Sequence, residues 1–160
     1  MQQWIVYYRS LTAIGLMALA HPSWGQQPTD PVTCLADNIY YEAATEPYAG
    51  KVAVGQVTLN RLTDQSNDVC SVVYFKQVNP ATGKKEAAFS WTLGRRWRPR
   101  GRIDGFIYAE CVWIAEQMLD GALKSHLIGP EVKSYHATYV HPAWHKPFAA
   151  QIGKHLFYRG

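Results

Sequence analysis

Residues 30–63 read DPVTCLADNIYYEAATEPYAGKVAVGQVTLNRLT, two helical patterns that meet at Glu46-Pro47. Asp30-Pro31 is a helix start, with Asp at the cap and Pro in the first turn. Val32, Leu35 and Ile39 then follow the +3, +4 rule of a core-facing stripe, and the next position of that stripe is Glu42. The helix is expected to run to about residue 45 and to stop at Glu46, because Pro47 disfavours helical geometry in the residue before it. From 50 to 63, Val52, Gly55, Leu59 and Leu62 recur at +3, +4, +3, with Val54 and Val57 widening the face, which predicts a core helix.

A carboxylate aimed at apolar ground is the anomaly in this stretch. Burial disfavours the charged form of Glu42 and raises its pKa, which keeps a carboxylic acid protonated near neutral pH and able to donate a proton. The structural alternative is that Glu42 pairs with an Arg or caps a backbone group. Outside the two helices, the run 70–75 is short and apolar, strand or helix undecided, and Asn79 to Gly83 is a turn. Residues 94–105 have the Gly, Pro and Arg content of a loop. A third helix starts at Asp104 and ends by Gly121, its stripe being Ile107, Cys111, Ile114 and Met118. The last forty residues, with Pro130, Pro142 and Pro147 among β-branched and aromatic residues, read as short strands or irregular segments.

The whole chain of 160 residues suits one globular domain, and its 18% charged content lies below the roughly 25% usual for such domains. Six Trp, ten Tyr and five Phe imply an aromatic core or a ring-lined groove. The net charge of +4 is too small to demand nucleic acid and suits an anionic polymer. Residues 1–25 carry one charge, Arg9, then an apolar run from Leu11 to Ala20 and a small-residue frame at Ser23-Trp24-Gly25, the layout of a secretory signal peptide. The run is too short to span a bilayer. Residues 26–30 form a linker to a domain at 31–160. Export to the periplasm or the exterior permits one disulfide among the three cysteines. Cys111 sits mid-stripe and is assigned as a buried free thiol, so Cys34 and Cys70, near the ends of other elements, form the expected pair.

The stretch CLADNIYYEAATEPYAGKVAVGQVTLNR, then VCSVVY, the Phe89-Ser90 neighbourhood, SYHATYVHPAW and IGKHLFYR resemble, in order, the motifs of the SleB/CwlJ-like cell wall hydrolases. The resemblance covers residues 34–158. It implies a lysozyme-like α+β fold, mainly α, in a single domain that cleaves the peptidoglycan glycan strand without a cofactor, with Glu42 in the place of the catalytic glutamate. Tyr41, Ser90, Trp91, Tyr135, His136, Trp144 and His155 are the candidate substrate-binding residues. Two departures stand out: Ala44-Thr45 replaces a common Arg-Gly, and Leu93-Gly94-Arg95-Arg96 stands where an Asp-Gly is expected.

Mechanism narrows by counting carboxylates, since a two-acid glycosidase holds them roughly 5 to 9.5 Å apart. Asp37 lies about 140° around the helix from Glu42 and points elsewhere. Glu46, at the helix end beside Pro47, reads as a solvated cap. A single-acid lytic transglycosylase therefore fits better than a two-acid muramidase. The rival readings are a zinc amidase or peptidase using His136, His141, His145 and His155, and an inactive wall-binding protein. Pro142 disturbs the helix that an i, i+4 ligand pair needs, and no metal is assigned. Arg95 to Arg102, five Arg and one Trp without an acid, reads as a grip on an anionic envelope polymer. The chain is expected to be a monomer, and a phage lysin held temporarily at the membrane by its N-terminal segment fits the same residues.

Overall fold

The computed structural model describes residues 27–93 and 104–160; residues 1–25, expected to be a signal, and the Arg95 to Arg102 stretch lie outside the described residues. Helix α1 (Pro31–Ala43) begins where Asp30 accepts a hydrogen bond from the Thr33 amide at 2.9 Å, satisfying one of the free amides of the first turn. Its buried face carries Leu35 and Ile39, as the stripe predicts. Helix α2 (Tyr48–Asn60) is surrounded: Val52, Ala53, Val54 and Val57 are buried together with the polar Lys51 and Thr58. Gly55 is where α2 meets its neighbours most closely, since a Cβ there would lie 2.7 Å from the Met118 sulfur and 3.1 Å from Ile39 Cδ1.

A short α3 (Leu62–Gln65) precedes α4 (Val69–Val73), which resolves the undecided apolar run as a helix started by the Asp68 side chain on the Ser71 amide. Strands β1 (Lys76–Val78) and β2 (Lys85–Ala87) form a hairpin about the expected turn, in which Gly83 takes a φ of +66°. A 3-10 turn (Ser90–Leu93) follows. The third long helix, α5 (Gly105–Leu119), starts on the Asp104 side chain and is followed by Gly121 in the left-handed region, as the sequence predicts. The last segment is a three-stranded antiparallel sheet in the order β3 (Val132–Ala137), β5 (His155–Arg159), β4 (Phe148–Ile152). The fold is α+β and mainly α, in one domain.

Two groups of side chains hold it. One joins α1, α4 and α5 through Leu35, Ile39, Val73, Ile114 and Met118. The other joins α2 to the sheet through Val54, Val57, Val132, Ile152 and Phe157. Cys34 and Cys70 form the expected disulfide, which ties α1 to α4. Cys111 is a buried free thiol whose pKa burial pushes up to about 12, so it stays unionised and unreactive at neutral pH. Among the described residues no helix is long and apolar enough to cross a membrane.

Candidate active site

Glu42 sits on the last turn of α1, facing the seam between the helices and the sheet. The phenol of Tyr135, from β3, donates to Glu42 Oε2 at 3.1 Å. Arg61, which ends α2, supplies the neighbouring charge. Its own geometry is fixed: Nε donates to the Lys133 carbonyl at 2.8 Å, and the guanidinium lies 4.9 Å over the Phe89 ring. The preceding Asn60 donates from its amide to the carbonyls of Gly129 and Val132 at 2.9 and 2.8 Å. The end of α2 thus clips β3 in register, and that clip sets Tyr135 against Glu42.

Burial raises the Glu42 pKa above the ordinary carboxylate range, while the Tyr135 hydrogen bond and the Arg61 charge act in the opposite sense. Burial and the Glu42 charge hold Tyr135 well above its usual value, so the phenol remains a donor. On the α1 surface Tyr41 lies against Trp91, ring centroids 4.6 Å apart. The Trp91 indole donates to Asn38 Oδ1 at 3.0 Å, and Asn38, one turn before Glu42, donates to Thr58 Oγ at 2.9 Å. Ser90 is exposed and opens the 3-10 turn that carries Trp91.

Strand alternation divides the remaining candidates. Tyr135 packs on the helix side with His155 and Phe157, at 5.2 and 5.5 Å between ring centroids. His136 faces the other way, stacked on Tyr158 at 5.1 Å with Trp144 edge-on at 5.4 Å. His155 is buried and its Nδ1 makes no hydrogen bond; desolvation lowers its pKa, Glu46 opposes that shift and His136 adds to it. Asp37 is turned onto the Tyr108 hydroxyl, which donates to it at 2.8 Å. Glu46 overturns its reading as a solvated cap. It is 7% exposed, and its Oε2 accepts from the Lys154 amide at 2.8 Å in the turn between β4 and β5. The physical reason is tertiary: the hairpin folds over the end of α1, and Gly153 permits it, since a Cβ there would fall on Glu46 Oε2.

Residues 45–158 match the protein family described as Cell Wall Hydrolase. The chain belongs to that family. The match starts just past Glu42 and includes Glu46, Arg61 and Tyr135. No curated protein and no solved structure matches the chain.

As a cell wall hydrolase the chain acts on peptidoglycan. Arg61 is the site residue that sequence reasoning missed. Its signal was present in the Leu-Asn-Arg that closes α2, but nothing local ties a residue 19 positions away to Glu42. Among the described residues no group of three or more His, Cys, Asp or Glu is arranged to hold a metal ion. His136 in particular has Nε2 3.0 Å from the Tyr158 hydroxyl and Nδ1 2.9 Å from the Ala137 carbonyl. Glu46→Gln keeps an acceptor for the Lys154 amide, so wall cleavage should stay within a few fold of wild type, whereas Glu46→Ala removes a partly buried hydrogen bond to a carboxylate and should cost about 1.5–3 kcal/mol by urea unfolding. A hundredfold loss of cleavage in a folded Glu46→Gln variant would make Glu46 a second acid.

Proposed function

We propose that this hydrolase cleaves the glycan strand between N-acetylmuramic acid and N-acetylglucosamine as a lytic transglycosylase, with Glu42 as its single catalytic acid. Glu42 protonates the glycosidic oxygen as the bond to the muramyl C1 breaks. The resulting carboxylate then accepts the proton of the muramyl 6-hydroxyl as that oxygen closes on C1, leaving a 1,6-anhydro end and the acid restored. The observation that carries the reading is the disposition of the carboxylates. All twelve acidic residues fall within the described part of the chain. The groups acting on Glu42 are Tyr135 and Arg61, neither of them a second acid. Asp37 is committed to Tyr108, Glu46 to the Lys154 amide, Asp64 to Lys133, and Glu86 to Asn79 and Gln77. Tyr41 and Trp91 offer ring faces to sugars beside Glu42, with Ser90 at their edge; His136 and Trp144 would meet glycan on the other face of the sheet.

Mass analysis of muropeptides released from purified wall tests this. Anhydro-muramyl ends, lighter by one water than the hydrolysed form, are expected; reducing muramyl ends would make the enzyme a muramidase, and free peptides an amidase. The pH profile supplies a second check. A carboxyl with a raised pKa stays protonated to higher pH, so cleavage should persist above the ordinary carboxylate range and fall as pH rises through the Glu42 value. Tyr135→Phe removes a hydrogen bond that lowers that value, so the falling limb should move to higher pH. A limb that stays in place would separate Tyr135 from the titrating group.

We also read residues 1–25 as a signal removed on export, to be checked by N-terminal sequencing of the mature protein. Arg95 to Arg102 we read as a grip on anionic envelope polymer; replacing these arginines by Gln should weaken wall binding more at low salt than at high.

A further inference from the structure

Arg61 borders a second space. A cavity of about 370 Å³ lies between the α2–α3 junction, the β1–β2 hairpin and β3, within the range of small-ligand pockets. Its chemistry-bearing walls are Arg61, Asp64, Glu86, Lys133, Ser134 and Lys146. Lys133 and Ser134 are consecutive and would point to opposite faces of a regular strand. The register of β3 on β5 shifts between Val132 and Ser134, and this irregularity brings both onto the same cavity.

The charges are unevenly satisfied. Lys133 is paired with Asp64. Glu86 is turned onto Asn79 and Gln77, at 2.7 and 3.2 Å. Lys146 donates to the neutral Ser134 hydroxyl at 2.6 Å and lies 5.4 Å from the Trp144 ring centroid. Neither Lys146 nor Arg61 has a carboxylate within 4.0 Å among the described residues. The cavity therefore presents two cations held by neutral groups, an arrangement that favours an incoming carboxylate.

Peptidoglycan supplies one on the sugar that reacts. The muramyl sugar whose C1 bond is cut carries, through the lactyl ether on its C3, a short peptide with free carboxylates. That peptide leaves the sugar two ring atoms from the reacting carbon, and Arg61 is common to the cavity wall and to the surroundings of Glu42. We propose that this cavity binds the acidic peptide attached to the muramyl residue, with Lys146 and Arg61 as its carboxylate contacts. The proposal rests on glycan cleavage at Glu42 only in placing a muramyl residue beside that acid.

The test measures binding without turnover, by calorimetry on the Glu42→Gln protein. The probes are N-acetylmuramic acid with its lactyl carboxyl blocked as the amide, and N-acetylmuramyl-L-alanyl-D-glutamate. The peptide-bearing probe should bind at least about tenfold more tightly, the size of one charge-assisted contact. That advantage should shrink in Lys146→Gln, vanish when Arg61→Gln is added, and fall with rising salt. Equal affinity of the two probes, or an advantage that both replacements leave intact, would overturn the proposal. Glycan cleavage by the wild type is scored separately. Cleavage with equal affinities removes the peptide site and keeps the proposed function, whereas a peptide advantage without cleavage keeps the site and removes the function.

Discussion

Glu42→Gln should lose at least about a hundredfold of glycan cleavage while melting at the temperature of the wild type. The substitution keeps shape and leaves an acceptor for the Tyr135 phenol, but it can neither give nor take the proton, and losing general acid-base catalysis typically costs a hundredfold or more. The melting temperature separates this from a structural role. Were Glu42 the indispensable partner of a buried cation, the change would strand that cation at about 3–5 kcal/mol. Arg61 is instead held by the Lys133 and Ala88 carbonyls and by the Phe89 ring. Release of anhydro-muropeptides and the melting curve should be taken from the same purified variant. Full activity, or inactivity accompanied by unfolding, would remove Glu42 as the acid.

Replacing Cys34 and Cys70 together by Ala should lower the unfolding free energy by about 3–4 kcal/mol, the chain-entropy value for a bridge between residues separated by 36 positions. Urea unfolding would show it as a lower midpoint. The bridge holds α1 to α4 two helical turns before Glu42, roughly 12 Å along the helix axis. The folded variant should therefore still cleave wall at low temperature and fail on warming well before the wild type. A loss under about 1 kcal/mol would mean that packing alone holds the two helices together.

What the sequence reveals here is what lies within one turn or one strand. The +3, +4 spacing located the stripe of α1, the odd carboxylate in it and the free thiol of α5, because a single helix fixes which residues share a face. The apolar run at α4 stayed ambiguous because five residues complete neither period. Glu46 was misread because its partner arrives from 108 residues away, and a helix end looks solvated until a hairpin covers it. Tyr135 and His136 both stand among the candidate substrate-binding residues of the sequence, yet neighbours on a strand face opposite sides, which only the sheet reveals. Arg61 escaped notice for the converse reason: it stands at the end of a different helix and reaches Glu42 only through the packing of α2 on α1.

The hydroxyl that orients Glu42 comes from 93 residues downstream, and the hairpin that seals the end of its helix from farther still. Contacts of such long sequence separation form late, since chain must be closed over distance before they return any stabilisation. During synthesis α1 emerges early and stands without Tyr135 or Lys154. A partly made chain therefore carries the acid but not the surroundings that tune it. With Glu42 as the proposed acid, cleavage would begin only when the last strands dock, a built-in delay for a protein whose substrate is the wall.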